Sequence, residues 1–361
     1  GLTGQAHGAN ETKLAYDYLA KVLVDKKNSD MAVSSFHAAD DQELLPVFVA
    51  LSKCGDKRKR LLATTALGQL GGEKAIAALK RQLAEDSTMA VRAAALVHLL
   101  NIKAADANVL AEASMIKDEN IQCIAARSLA NKSKDPKHLA LAKTTLTKLS
   151  ASSDSLTAAM ANMGLLAMGD AARLPGLTKL VSDPSTEPTI VRLIMLQITD
   201  ENISAGQPLA CTVLSTPRYP VQTRILACRA VATTVPNPVP VIFAAIRESK
   251  SMIFRIPAMS ILAEKAGSEQ YIAAIAKSSL QFAPLAGLEL ARITPGPASA
   301  AAVEKALKIK QPIVTNYIMQ LAKKDVDKLG PKAAFYVAPL LNYIAAVEPD
   351  TDTMAHEHLM A

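Results

Sequence analysis

The chain has 361 residues, half of them apolar, with no Trp, 4% aromatic residues and a formal net charge of +7. The apolar half is mostly Ala, Leu, Ile and Val, which suits close helix packing because Ala is the best helix former; alternating strand-like segments are hard to find, so the expected fold class is all-α. No apolar run reaches the roughly 20 residues of a membrane span, and the mild basic excess permits a polyanionic partner without requiring one.

In chain order, Gly1 stands where a native chain would begin with Met. The native N-terminus is therefore expected to be missing, with a lean toward an exported, periplasmic protein that has lost a secretion signal. A helix near 11–27 and its lead-in form an N-terminal cap over 1–39. From 40 to 325 the sequence reads as about nine helix pairs of roughly 32 residues each. They fall at 40–71, 72–103, 106–133, 137–169, 171–202, 205–235, 237–267, 268–294 and 297–325. Their register is an Arg with a small residue three positions on: Arg60 and Ala63, Arg92 and Ala95, Arg224 and Ala227, Arg255 and Ala258, with Met195 after Arg192. Gln122, Thr157, Pro284 and Val314 take the arginine's place in the other pairs. Residues 326–361 form a C-terminal cap, with a helix near 331–347 and a short helix after Asp350. No linker rich in Gly, Ser or Pro divides the array, so 1–361 reads as one domain.

Local chemistry fixes the boundaries. In the second helix of a pair, Val91, Ala94, Ala95 and Leu99 make one stripe of helical period; in a first helix, Ile76, Leu79 and Leu83 do the same. Leu70-Gly71-Gly72, Met168-Gly169-Asp170, Ala266-Gly267-Ser268 and Pro295-Gly296-Pro297 are turns in which Gly is expected to go left-handed and end a helix. Pro46, Pro175 and Pro240 fit first turns, where no N–H partner is lost. Asp154 and Ser268 are expected N-caps. Cys54, Cys123, Cys211 and Cys228 have no zinc-finger or Cys-x-x-Cys spacing and read as small buried thiols.

The run Ala66-Leu67-Gly68-Gln69-Leu70-Gly71, the acidic loop at Asp86 and the following Val91-Arg92-Ala93-Ala94-Ala95 resemble short HEAT repeats of the type first noted in phycobilisome lyases. Leu174-Pro175-Gly176-Leu177 with Val191-Arg192 repeats the pattern; it is strongest over 57–103 and loose after 280. The resemblance implies a right-handed α-α superhelix, or solenoid, with first helices on the convex side and second helices on the concave, partner-facing side. It also gives the row Arg60, Arg92, Arg192, Arg224 and Arg255 two meanings. One is a basic stripe that binds a partner; the other is an internal ladder in which each Arg pairs with an acidic loop residue such as Asp86 or Asp183.

Catalytic signals are sparse. Ser114-Met115-Ile116-Lys117 matches Ser-x-x-Lys with no accompanying motif and reads as the end of a first helix. His7, His37, His98, His138, His356 and His358 form no metal-binding spacing, and Asn10, Asn131 and Asn202 open glycosylation sequons of chance frequency. Lys57-Arg58-Lys59-Arg60 reads as the solvated first turn of a helix capped by Asp56. Aromatics do not interleave with the basic positions, which disfavours nucleic acid. No catalytic, cofactor-binding or metal-binding residue is assigned. The expectation is a monomeric, non-enzymatic scaffold that takes a protein or peptide partner on its concave face; the alternative is a nucleic-acid or polyanion binder.

Overall fold

The computed structural model describes residues 44–346. The expected helices near 11–27 and after Asp350, four of the histidines and the Asn10 sequon lie outside these residues. All regular structure among the described residues is helical. The helices form two compact units that divide between Met168 and Gly169. The first contains α1 (Leu45–Leu51), α2 (Lys57–Leu70), α3 (Gly72–Glu85), α4 (Met89–Asn101), α5 (Ala107–Ala113), α6 (Glu119–Lys132), α7 (Pro136–Leu149) and α8 (Ser155–Ala167). The second contains α9 (Leu174–Ser182), α10 (Pro188–Asp200), α11 (Gln207–Ser215), α12 (Val221–Thr234), α13 (Val239–Glu248), α14 (Met252–Ala263), α15 (Glu269–Ala276), α16 (Ala283–Ile293), α17 (Ser299–Leu307), α18 (Pro312–Leu329) and α19 (Val337–Ala346).

Packing within each unit is serial. A first helix packs on the second helix of its own pair and on the next first helix, as α3 does on α4 and α5. Second helices pack in their own row, α2 on α4, α4 on α6 and α6 on α8, then α10 on α12 and α12 on α14. The expected second-helix stripe is the one buried: Val91, Ala95 and Leu99 are fully enclosed, joined by Leu96, with Ala94 at half depth. In α3 Leu79 and Leu83 of the expected stripe are buried, joined by Ala75, Ala78 and Gln82, while Ile76 is only half-buried.

The C-terminal end departs from simple nearest-neighbour stacking. Helix α18 packs on α17 and also on α14, two pairs back. Lys324 on α18 reaches Glu264 just beyond α14, at 3.1 Å. With 18 residues and a rise of about 1.5 Å each, α18 is long enough to lie across more than one neighbour. It also continues past the expected boundary at 325. The helix expected near 331–347 starts as a 3-10 turn over Gly330–Tyr336 before α19 begins. Gly330 is left-handed, at φ 55°, and Pro331 has no N–H with which to continue an α-helix.

The two units start their helices with two devices in different proportions. In the first, Asp56, Asp106, Asp118, Asp135 and Asp154 each accept a backbone N–H at the start of α2, α5, α6, α7 and α8. In the second, Pro occupies the first turn of α9, α10, α11, α13, α16 and α18, as it also does in α1 and α7 of the first unit. Both devices answer the same problem of first-turn N–H groups without partners. Ser268 precedes α15 but does not cap it with its side chain. Its backbone is already helical, at φ -77° and ψ -20°, whereas a capping side chain needs an extended backbone.

Asp154 accepts from the Thr157 N–H at 2.9 Å and from the Thr157 hydroxyl at 2.6 Å. These bonds hold its carboxyl below the usual carboxylate value. A depressed folded value makes the cap's contribution complete above the unfolded value of 3.8 and progressively lost as pH falls through the folded one. Asp154→Ala is expected to cost about 1 kcal/mol at neutral pH, with the deficit shrinking below pH 4. Urea titrations at several pH values check this, and Asp154→Asn should keep an acceptor while losing the pH dependence.

Of the four expected left-handed turns, Gly71, Gly72, Gly169 and Gly267 have positive φ; Gly296 does not. Gly296 precedes Pro297, whose ring restricts the backbone of the residue before it. Gly68 serves a different purpose. A Cβ there would lie 2.2 Å from Nδ1 and 2.8 Å from Cβ of His98, so α2 and α4 approach closely at this point. Because the clash includes the base of the His98 side chain, rotation alone does not relieve it. Gly68→Ala should destabilise the first unit by about 2 kcal/mol, read as a lower urea midpoint with an unchanged slope.

Candidate functional site

The arginine row is the first candidate surface, and the structure splits it. Arg60 is buried in α2. Its Nε and Nη2 donate to the two Asp86 carboxylate oxygens at 2.8 and 3.1 Å, Nη2 donates to Thr88 Oγ1 at 2.9 Å, and Nη1 donates to the Cys54 and Gly55 carbonyls. Arg92 donates to the Leu83 and Ala84 carbonyls at 2.7 and 3.0 Å. Arg224 and Arg255 donate to the Leu214 and Ile246 carbonyls at 3.2 and 3.3 Å. In the last three cases the arginine lies near the start of a second helix and the carbonyl near the end of the preceding first helix. Those carbonyls have lost their helical partners and carry the negative end of the helix dipole. Arg224 and Arg255 also stack on Phe254 and Phe282, with the guanidinium 4.4 and 4.2 Å from each ring centre. Burial lowers both arginines from the usual guanidinium value.

Arg192 differs from the other four. It is exposed, and no hydrogen bond or ion pair holds it among the described residues. Asp183 turns instead to Ser185, accepting from its N–H at 2.8 Å. The expectation that aromatics avoid the basic positions is corrected by Phe254 and Phe282. Both rings are fully buried, so they act as supports for arginines rather than as platforms for bases. Lys57 and Arg58 are exposed as expected of a solvated turn, but Lys59 and Arg60 are buried.

The remaining sequence candidates are scattered. The Ser114 hydroxyl donates to the Leu110 carbonyl at 2.8 Å, so its proton is committed to its own helix, and Lys117 is exposed. His98 is half-buried, with burial lowering its pKa, and His138 Nδ1 shares a hydrogen bond of 3.0 Å with Ser133. All four cysteines are free; Cys123 and Cys228 are buried, whereas Cys54 and Cys211 are only half-buried. Burial pushes the Cys123 thiol up to about 11 and the Cys228 thiol to about 12, which leaves both protonated and poor nucleophiles near neutral pH. Among the described residues no group of His, Cys, Asp and Glu has the geometry of a metal site. No described helix is long and apolar enough to cross a membrane.

A concavity lies in the second unit, along its second helices. It is an open groove of about 680 Å³. Helix α12 contributes Arg229 and Thr233, and α18 contributes Asn316, Tyr317 and Gln320. Helix α14, which packs on both, supplies Ile256, Pro257 and Ser260. Pro257 is inside α14 and cannot donate to the carbonyl of Ile253, so the helix is weakened where it faces the groove. The groove exists because α18 reaches back to α14.

Beneath the α18 wall is a buried ionic network. Glu289 on α16 is fully buried, and Asp325 on α18 is 1% exposed. Arg292 bridges them. Its Nε and Nη2 donate to the Asp325 oxygens at 2.6 and 2.8 Å, and Nη1 donates to Glu289 Oε2 at 2.5 Å. The Tyr317 hydroxyl donates to Glu289 Oε1, and the Tyr336 hydroxyl donates to Asp325 at 2.8 Å. Burial pushes Glu289 up. Asp325 is held low, burial notwithstanding, by its bonds from Arg292 and Tyr336. Tyr317 belongs to both the network and the groove, so the ionic cluster fixes one groove wall from behind.

Sequence reasoning missed both features, although one signal pointed to them. Five positions after the register residue of successive second helices stand Gln197, Arg229, Ser260 and Glu289. A scan of the chain against protein-family models finds no match, and a search of curated proteins likewise finds no similar sequence.

Proposed function

We propose that this chain is a HEAT-like right-handed α-solenoid acting as a non-enzymatic interaction scaffold, and that its second unit seats a segment of a protein partner in the groove between α12, α14 and α18. The observation that carries this is the groove itself. It is open, lined by four second helices including α10, and mixes apolar with hydrogen-bonding side chains. Such a surface suits an extended chain better than the enclosed chemistry of a small substrate. Its volume is within the roughly 300–1,000 Å³ range of ligand sites. The polyanion alternative has less support, because Arg60, Arg92, Arg224 and Arg255 direct their guanidinium groups inward.

Selection from a random displayed-peptide library against the full chain tests the proposal. Peptides so recovered should lose binding when Thr233 or Gln320, both exposed on the groove walls, is replaced by Trp. Peptides that bind the filled variants as well as the parent would place the partner surface elsewhere. Steeply salt-dependent binding of duplex DNA, unaffected by groove filling, would favour the alternative.

A further inference from the structure

The charges lining the groove are unequal in a way that specifies its occupant. Arg229, Lys265 and Lys324 are cationic, and Glu264 is the acidic residue among the lining side chains. Lys324 and Glu264 satisfy each other at 3.1 Å. Arg229 and Lys265 remain, with no ion pair among the described residues. They come from α12 and from the segment just after α14, so they mark two separate points on the groove. The same lining holds the apolar side chains Ile256, Ile261, Ile313 and Leu321.

We infer that the groove selects an acidic peptide segment, one that places carboxylates on Arg229 and Lys265 and an apolar side chain against Ile256, Ile261, Ile313 or Leu321. The inference rests on the scaffold proposal above and adds the chemistry of the partner. An unpaired cation beside apolar walls attracts a carboxylate more strongly than one in open water, because the local dielectric is lower. The same cations repel a basic segment, and such repulsion is the more selective half of recognition. Arg229 adds a planar fork that can hold a carboxylate by two parallel hydrogen bonds. The amides of Asn316 and Gln320 and the hydroxyl of Thr233 supply donors and acceptors for an extended backbone. A segment with Asp or Glu flanking Leu, Ile or Met meets all three demands.

The test uses three pools of fluorescent random peptides, in which alternate positions are fixed as Glu, Gln or Lys. Each is passed over the immobilised full chain at low salt. The Glu pool should be retained about tenfold more than the Lys pool, and the ratio should fall as salt screens the charges. R229E/K265E should reverse the preference. R229A/K265A, which only removes the charges, should abolish it and serves if the reversal unfolds the chain. Equal retention of all pools, lost on filling the groove with Trp at Gln320, would overturn the acidic preference while leaving the scaffold proposal standing. Retention of no pool, or retention insensitive to groove filling, would overturn both.

Discussion

Arg292→Ala should destabilise the C-terminal end of the second unit by about 3–5 kcal/mol. The substitution removes the single cation that bridges Glu289 and Asp325, carboxylates that are fully buried and 1% exposed. Removing one partner of a buried pair costs far more than the pair's net worth, because it leaves uncompensated charge in a low dielectric. Arg292→Lys should recover little, since a compact ammonium cannot span both carboxylates with the same planar fork. Hydrogen exchange localises the effect: amides of α18 and α19 should lose protection while those of α2 to α8 keep theirs. Glu289→Gln is the informative companion. Its carboxyl is pushed above the ordinary glutamate value of 4.5 by burial, so ionisation opposes the fold. Stability contributed by this site should decline as pH rises from 4.5 through the elevated folded value, and stay lower above it. The Gln variant, which can still accept from Tyr317, should lack that decline. A variant with the parent's pH profile would show that Glu289 does not titrate as inferred.

The sequence made the helix boundaries legible because local chemistry decides them. Gly71 and Gly169 end helices through positive φ, and Asp154 and Pro175 open them. Such signals act within a turn or two of the chain and survive in any context. The groove was not legible, because it depends on how far α18 leans back toward α14. That lean is a property of packing between residues sixty apart, as in the Glu264–Lys324 contact. The ionic network was hidden for a related reason. Glu289 and Asp325 belong to pairs where the arginine register has faded, Pro284 and Val314 standing at its positions. Arg292, eight residues beyond Pro284, supplies a guanidinium there from the far end of α16, bonded to Glu289 and Asp325 rather than to a first-helix carbonyl. Periodicity finds positions that repeat; it is blind where one repeat solves the same packing problem with different residues.

That distinction makes the bonded and unbonded members of the arginine row separable by measurement. Arg60→Ala removes a two-point ion pair with Asp86, whose side chain is 4% exposed. It also removes donors from the Cys54 and Gly55 carbonyls and from Thr88. Charged hydrogen bonds contribute about 1.5–3 kcal/mol each, and buried acceptors without donors carry a further desolvation cost. Asp86 still accepts from the Thr88 N–H at 2.8 Å, which limits the damage, so the expected loss is about 3 kcal/mol. Arg192→Ala has no such bonds to break and should stay within about 0.5 kcal/mol of the parent. Urea unfolding followed by circular dichroism compares them directly. If the row were a partner-binding stripe along its length, both substitutions would leave stability intact and both would weaken binding. If it is a ladder that ties first-helix ends to second helices, stability should follow the hydrogen bonds residue by residue. Arg92, Arg224 and Arg255 should then fall between the extremes, because each has carbonyl partners but no carboxylate within bonding distance. A near-neutral Arg60→Ala would refute the ladder, since no other member of the row has more bonds to lose.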